Sequence, residues 1–267
     1  MAEESLQGGI ISQTRRLRTA SGFSFVLKTS TEVPPDVYPL EAEGLRTLDL
    51  PDCPRVPKVL QVAADHLMLE DLGSNAPGPN WQAEFARQLA NLHKQTAPQF
   101  GFDHDNYLGR LPQINAWSDD GPAFYVEHRV LRYLHEPRAE AVMTAEDRRG
   151  VERLCRRFLQ ITPKMPPALI HGDLWCANWL TGPNGEPAYL DPAVYYGLAE
   201  SELSFTRMFG GLDVSFYDQY VKHHPLPEGW RERLPYYDAR EWAAMAAHYG
   251  NIEHCVDRLR EQIAALS

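Results

Sequence analysis

Cysteine is scarce in this chain: four in 267 residues (Cys53, Cys155, Cys176, Cys255), no two of them close in sequence. Zinc knuckles and small disulfide frameworks need close pairs, so neither is expected, and the thiols read as reduced. Cations are in deficit too. The 26 Lys and Arg against 36 Asp and Glu leave a net charge of −10, with a pI near 5.5. Nucleic acid and anionic bilayers call for a basic surface, so neither is expected as a partner. No apolar run approaches the roughly 20 residues of a spanning helix. The first residues, Met1-Ala2-Glu3-Glu4-Ser5, are acidic and lack the apolar core of a signal peptide. A cytoplasmic location is the resulting expectation. There is no G-x-G-x-x-G string, internal repeat or low-complexity tract. Hydrophobic residues make up 43%, enough for one large domain or two small ones.

One stretch stands out. His171-Gly172-Asp173-Leu174-Trp175-Cys176-Ala177-Asn178 reads H-G-D-x-x-x-x-N, and Asp191 follows in Leu190-Asp191-Pro192. Turns favour Asp and Asn for their own reasons, but the flanks add information. Ala168-Leu169-Ile170, Trp179-Leu180 and Ala188-Tyr189-Leu190 are short apolar runs, and Thr181-Gly182-Pro183-Asn184-Gly185-Glu186 is a strong turn signal. The order is therefore strand, loop, strand, turn, strand, carboxylate. Asp173, Asn178 and Asp191 then meet at the edge of one hairpin. ATP-dependent phosphoryl transfer needs one carboxylate to orient and deprotonate a hydroxyl, and an amide and a second carboxylate to hold magnesium on the phosphates.

Residues 1–72 read as mixed strand and helix. A strand is expected over Ile10–Arg18, a turn at 19–22, and a second strand over Phe23–Lys28 in which Phe23, Phe25 and Leu27 form the apolar face. After the breaker Pro34-Pro35 a helix starts near Val37 and carries Glu41, Leu45 and Leu48 at i, i+4 and i+7. Glu41 thus falls on the inward face, where an unpaired carboxylate is costly. Lys28, at a strand end, is its expected partner; Glu43 falls on another face. A Lys–Glu pair that aims the lysine at nucleotide phosphates is a kinase arrangement. Gly8-Gly9 brings backbone amides to phosphates or forms a plain turn, and the sequence favours neither. Further strands are expected over Val56–Val62 and Leu67–Leu69. Glu70 to Pro79 reads as a hinge, with backbone near Glu70 and Leu72 facing the adenine and Met68 behind it. Beyond Trp81 the chain reads as helical: a stripe of Phe85, Leu89 and Leu92 running to a packed or capping His93, then Phe124–Leu134, Ala145–Ile161, Glu200–Phe209 ended by Gly210-Gly211, and Arg240–Leu266.

Three further blocks carry a resemblance. His171 to Trp175 reads H-G-D-L-W. Asp191 to Gly197 reads D-P-A-V-Y-Y-G, followed by Glu200 and Met208-Phe-Gly-Gly211. Gly101 to Gly109 reads G-F-D-H-D-N-Y-L-G, followed by Trp117-Ser-Asp-Asp120. The chain resembles the fructosamine/ketosamine-3-kinase family, related to aminoglycoside phosphotransferases and choline kinases, over nearly its whole length and more weakly in the first 60 residues. The resemblance implies an α+β, two-lobed protein-kinase-like fold. An antiparallel-sheet nucleotide-binding lobe with one main helix would span residues 1–72. A larger, mainly helical catalytic and substrate-binding lobe would span 73–267. It also implies Asp173 as base, Asn178 and Asp191 as magnesium ligands, Lys28 with Glu41 at the ATP phosphates, Trp175 against the sugar, His171 holding the loop, and Asp105, Asn106 and Tyr107 shaping the substrate side. The implied reaction phosphorylates the sugar O3 of a ketosamine, free or as a glycated protein lysine, leading to deglycation. A kinase of the same fold acting on aminoglycosides or choline, and a nucleotide-binding pseudokinase, stand as alternatives. A monomer is favoured. The family often carries a cysteine in a G-G-C-I-N-like loop; Gly8-Gly9-Ile10-Ile11-Ser12 has none, so a redox switch there is not expected.

Overall fold

A computed structural model describes residues 2–6 and 12–266. Gly8 and Gly9 lie outside the described residues, and so do Ile10 and Ile11 at the start of the first expected strand. The chain opens with strands Ala2–Ser5 (β1), Gln13–Arg18 (β2) and Ser24–Thr29 (β3), then helix Val37–Leu48 (α1), then strands Val59–Val62 (β4) and His66–Glu70 (β5). The strands form one antiparallel sheet in the order β1-β2-β3-β5-β4. The edge strand β1 went unread in the sequence. It carries Glu3 and Glu4, whose carboxylates bond Arg15 and Arg16 on β2.

The alternation on β3 is present and Phe25 is buried on the expected face, but the face that packs into the main core is the other one. Phe23 is 57% exposed. Val26 and Lys28 lie opposite Leu69 and Leu67, and Val26, Leu67 and Leu69 pack into the main core with Tyr38, Ala42, Leu45 and Leu48 of α1. Lys28 therefore points toward α1 under the sheet. Helix α1 also lies against the chain just after Asp191. A Cβ on Gly44 would sit 3.1 Å from Pro192 Cγ, so a bulkier residue there would push α1 and its Glu41 away.

The rest is mainly helical: Trp81–His93 (α2), Gly121–Tyr125 (α3), Pro137–Val142 (α4), Ala145–Ile161 (α5), Ala199–Met208 (α6), Val214–His223 (α7), Trp230–Tyr249 (α8) and Cys255–Leu266 (α9). Between them run three two-stranded pairs. Asn106–Leu108 (β6) pairs with Leu111–Gln113 (β7), Ala168–Ile170 (β8) with Tyr195–Gly197 (β11), and Trp179–Thr181 (β9) with Pro187–Tyr189 (β10). Among the described residues no helix is long and apolar enough to cross a membrane.

Two expected helices are interrupted. Over Phe124–Leu134, α3 passes into a π-helical turn at Val126–Val130 and a 3-10 turn at Leu131–His135. Arg129 there is fully buried, with its guanidinium 3.9 Å from the Tyr195 ring centre. The expected helix over Arg240–Leu266 breaks at Gly250, where φ is 72°. Its backbone amide returns to the Ala246 carbonyl, and α9 begins only at Cys255.

Helix α5 starts with a capping box: Thr144 and Asp147 exchange side-chain and backbone hydrogen bonds. Arg260 of α9 adds two hydrogen bonds to the same carboxylate, at 2.8 and 2.9 Å. The Arg260 hydrogen bond is the largest cause and, with Thr144, outweighs desolvation, holding the Asp147 carboxyl down at about 2. A depressed acid contributes stability above its unfolded pKa and loses it as pH falls through the folded value. Asp147→Asn is therefore expected to cost about 1 kcal/mol at neutral pH, discounted for the exposure of Arg260. The deficit should shrink between pH 4 and 2, read as the difference between the two proteins' urea midpoints across that range.

Candidate active site

Strand β8 leads directly into His171, and the loop from His171 to Asn178 returns to β9. Three backbone features shape it. Gly172 has φ 83°, and a Cβ there would lie 2.1 Å from the Ala193 carbonyl oxygen, so a side chain has no room. The Ala193 amide donates to the His171 carbonyl at 2.8 Å, tying the loop to the segment after Asp191. Asp191 itself has φ 55°, a left-handed conformation that Asp and Asn tolerate better than most residues.

His171 is fully buried. Its Nε2 donates to the Leu190 carbonyl at 2.8 Å, and its Nδ1 accepts from the Asp173 amide at 3.3 Å. Burial lowers its pKa, so the ring is neutral. The Asn178 amide nitrogen donates to the Asp173 carboxylate at 2.9 Å and to the Asp173 carbonyl at 2.8 Å, which leaves the Asn178 side-chain oxygen for another partner. Lys28 Nζ lies 2.6 Å from Glu41 and 2.8 Å from Asp191. The Lys28–Glu41 pair expected from helix period is thus present, and the lysine also reaches the carboxylate after the hairpin. Burial opposes the charge on Lys28, but Asp191 and Glu41 outweigh it and raise the pKa. Burial raises the Glu41 pKa despite Lys28 beside it.

Lys28, Glu41, Asp173, Asn178, Asp191, Trp175 and Asn106 all line one cavity of about 300 Å³. The Asp173 carboxyl is pushed up to about 8, chiefly by burial; Arg240 works against this, and Glu241 and Asp191 add to it. A carboxyl of this kind holds a proton at neutral pH until nearby positive charge draws it off. Trp175 meets Phe209 edge to face, with ring centres 5.6 Å apart.

Other expected site residues are placed differently. Met68 lies opposite Leu27, on the sheet face away from Lys28, and it does not line the cavity. Strand alternation puts Leu67 and Leu69 on the Lys28 side instead. The Glu70 carboxylate pairs with Arg55, and its amide donates to the Lys58 carbonyl at 2.8 Å. The Leu72 carbonyl accepts from Asn75 at 2.6 Å. Asp105 receives the Asn115 amide at 2.7 Å and braces a loop outside the cavity wall. Asn106 lines the cavity, but its side chain is held by the Val194 carbonyl, Gln113 and Asn115.

Two groups at the base of the loop were missed. Glu202 on α6 is 3% exposed. It accepts from the Gly172 amide at 2.8 Å, the His171 amide at 3.1 Å and His93 Nε2 at 2.9 Å. These hydrogen bonds outweigh its burial and lower its pKa. Arg240 on α8 donates to the Gly172 carbonyl at 3.0 Å and pairs with Glu241. The sequence carried a signal for both. Glu202 shares a helix face with Leu198, Phe205 and Phe209, and Arg240 sits among alanines and tyrosines; a charge on an apolar face is the pattern that singled out Glu41.

Comparison with known proteins agrees with this geometry. The profile of the fructosamine kinase family matches residues 1–260. A probable ketoamine kinase of Enterococcus faecium is 35% identical over 86% of this chain and 83% of its own length. A chloroplastic protein-ribulosamine 3-kinase of Arabidopsis thaliana is 32% identical over 87% of this chain and 73% of its own. The crystal structure of a putative fructosamine-3-kinase from Thermobifida fusca superposes with a TM-score of 0.85 at 29% identity, covering 99% of this chain and 94% of that one. An aminoglycoside phosphotransferase solved with AMP-PNP and hygromycin B shares the fold alone, at a TM-score of 0.66 and 16% identity over 99% of this chain and 92% of that one. The sheet-plus-helical kinase-like fold, the hairpin with its three polar residues and the whole-length match agree, and the chain belongs to the fructosamine kinase family, as a phosphotransferase of fructosamine kinase type.

Proposed function

We propose that the protein transfers the γ-phosphoryl group of ATP to the O3 hydroxyl of a ketosamine, and that this phosphorylation leads to release of the sugar from its amine. The observation that carries the reading is the convergence of Lys28, Glu41, Asp173, Asn178 and Asp191 in one cavity that Trp175 also lines. Residues 1–72 form the nucleotide lobe in this reading, and 73–267 supply the hairpin and acceptor wall. Lys28, steadied by Glu41, binds phosphate oxygens. The AMP-PNP in the aminoglycoside phosphotransferase of the same fold supports a nucleotide in this cleft.

The donor set suits magnesium. Asn178 keeps its side-chain oxygen free of Asp173, and Asp191 keeps one carboxylate oxygen free of Lys28. Among the described residues no three His, Cys, Asp or Glu side chains converge as a metal cage, and magnesium, which takes few protein oxygens and completes its shell with phosphate and water, needs none. Bound there, magnesium would neutralise charge on the phosphates. Asp173 accepts the O3 proton as the new O–P bond forms and the bond to ADP breaks. Phosphoryl transfer is largely dissociative, so Asp173 acts mainly by positioning the hydroxyl. The indole of Trp175 offers an apolar face to the C–H face of the sugar.

The test is an ATP-consumption screen with fructose-lysine and ribulose-lysine against an aminoglycoside, choline and free ketoses. Magnesium-dependent turnover of a ketosamine is expected, with kcat/KM at least about 100-fold above the other acceptors. Faster turnover of the aminoglycoside or choline would reassign the acceptor. No turnover with any amine-linked sugar would favour a non-catalytic nucleotide binder.

A further inference from the structure

We infer that Glu253, at the corner between α8 and α9, selects acceptors that carry a positive charge on the amine side of the sugar. The inference rests on the reading above and names the chemistry of the acceptor's second half. Lys28 and Glu41 enter the cavity from the sheet and α1. Met245, Tyr249, Ile252 and Glu253 enter it from α8 and the corner after it. Among the described residues, the ionisable Lys, Asp and Glu side chains lining the cavity are one amine, Lys28, and five acids, Glu41, Asp173, Asp191, Glu241 and Glu253. Four of the acids have work in hand. Glu41 and Asp191 hold Lys28, Glu241 pairs with Arg240, and Asp173 bonds Asn178. Glu253 is exposed and, among the described residues, has no hydrogen-bond or ion-pair partner.

Its surroundings combine apolar contact surface with charges of both signs. Helix α8 runs 20 residues and ends at Tyr249, and Arg138 already donates to the His248 carbonyl in its last turn, so the helix end is largely neutralised and Glu253 is the unpaired anion at this corner. His248, buried beside it, has its pKa pulled down to about 4, chiefly by burial and then by Arg110, Arg240 and Arg138, so its ring is uncharged and the cations near this corner are Arg110 and Arg138. Tyr249, Met245 and Ile252 supply a ring face and apolar surface for the methylenes flanking an ammonium. Glu253 and His254 hold consecutive left-handed conformations, φ 49° and 57°, which non-glycine residues seldom adopt. That backbone fixes where the Glu253 side chain leaves the corner. A neutral polyol gains nothing from such a wall. The secondary ammonium of a ketosamine, or the charged amino acid behind it, does.

The experiment compares kcat/KM for fructose-lysine with that for a neutral 1-O-alkyl fructose, in wild type and in Glu253→Gln. The amide keeps the side chain's shape and makes the same backbone demand. The preference for the charged acceptor is expected to fall roughly three- to tenfold in the variant, through KM, as for a partly solvated charge pair. The rise of KM with salt should flatten along with it. Glu253→Lys should lower the preference further. An unchanged preference, or an equal loss on both acceptors, overturns the inference. If wild type phosphorylates no ketosamine, the proposed function fails separately. The subsite is then judged by binding of butylammonium, followed by tryptophan fluorescence from the cavity: weaker binding to Glu253→Gln upholds it, and equal binding overturns it.

Discussion

Asp173→Asn is expected to lower kcat for the ketosamine about 10³-fold or more while nucleotide affinity stays within about threefold. The asparagine oxygen still accepts the Asn178 amide, so the loop keeps its shape. Lys28, Asn178 and Asp191, the proposed phosphate and metal ligands, are unchanged, so nucleotide binding is expected to persist. What is lost, on the proposed mechanism, is the group that takes the hydroxyl proton. A coupled assay for ADP release, run beside equilibrium binding of a non-hydrolysable nucleotide, separates the two effects. Turnover within tenfold of wild type would remove Asp173 from the chemistry. The same substitution should stabilise the fold at neutral pH. The Asp173 carboxyl is raised to about 8, burial being the main cause. Between its unfolded pKa, near 4, and 8 the folded state holds a proton that the unfolded state has released, so stability falls as pH rises through this window. The variant lacks this slope. Its melting temperature should exceed that of wild type at pH 8 and converge with it below pH 4. On the proposed mechanism, activity depends on a carboxyl that the fold tolerates at a loss in stability.

Glu202→Ala should produce the largest loss of stability. The carboxylate is buried and receives the His171 and Gly172 amides and the His93 ring. Removing it leaves three buried donors without an acceptor, at a cost of about 3–5 kcal/mol. For a chain of this size that lowers the melting temperature by on the order of 10 °C. Below its transition the variant should still lose much of its kcat, because the two freed amides belong to the turn that aims Asp173. Glu202→Gln keeps one oxygen acceptor and should fall between wild type and alanine on both measures. A variant that melts like wild type would mean that the loop is held from elsewhere, with Arg240 on the Gly172 carbonyl the first candidate. Because the Glu202 pKa is depressed, its contribution is present above the ordinary carboxylate range and fades as pH falls through the lowered value.

The parts of this fold and site legible in the sequence were those governed by local rules. Short apolar runs on either side of a Gly-Pro-Asn-Gly turn gave the β9–β10 hairpin, and a 3.6-residue period put Glu41 inward opposite Lys28. The errors came where two local patterns fit equally well or where distant segments decide. On β3, Phe23, Phe25 and Leu27 looked like the core face, but α1 covers the other face, and the same alternation on β5 turns Met68 away from Lys28. The helix over Arg240–Leu266 had stripe enough to seem continuous, yet Gly250 closes a capping turn and α9 departs on a new axis. Glu202 and Arg240 gain their roles from contact with Gly172, 30 and 68 residues away. No local spacing names such a partner, although a charge on an apolar helix face announces that one exists.

The left-handed backbone at Asp191 also bears on how this chain can drift. Position 191 passes two filters at once. With φ at 55° it admits glycine, asparagine and aspartate readily and β-branched residues badly. Its contact with Lys28 at 2.8 Å asks for an anion. Glycine meets the first demand and fails the second, asparagine supplies an oxygen without the charge, and glutamate carries the charge on a backbone less at ease there. Mutational walks through this site are therefore short. A descendant that lost Asp191 would be left with a buried lysine held by Glu41 alone, and the easiest repair would be reversion rather than replacement.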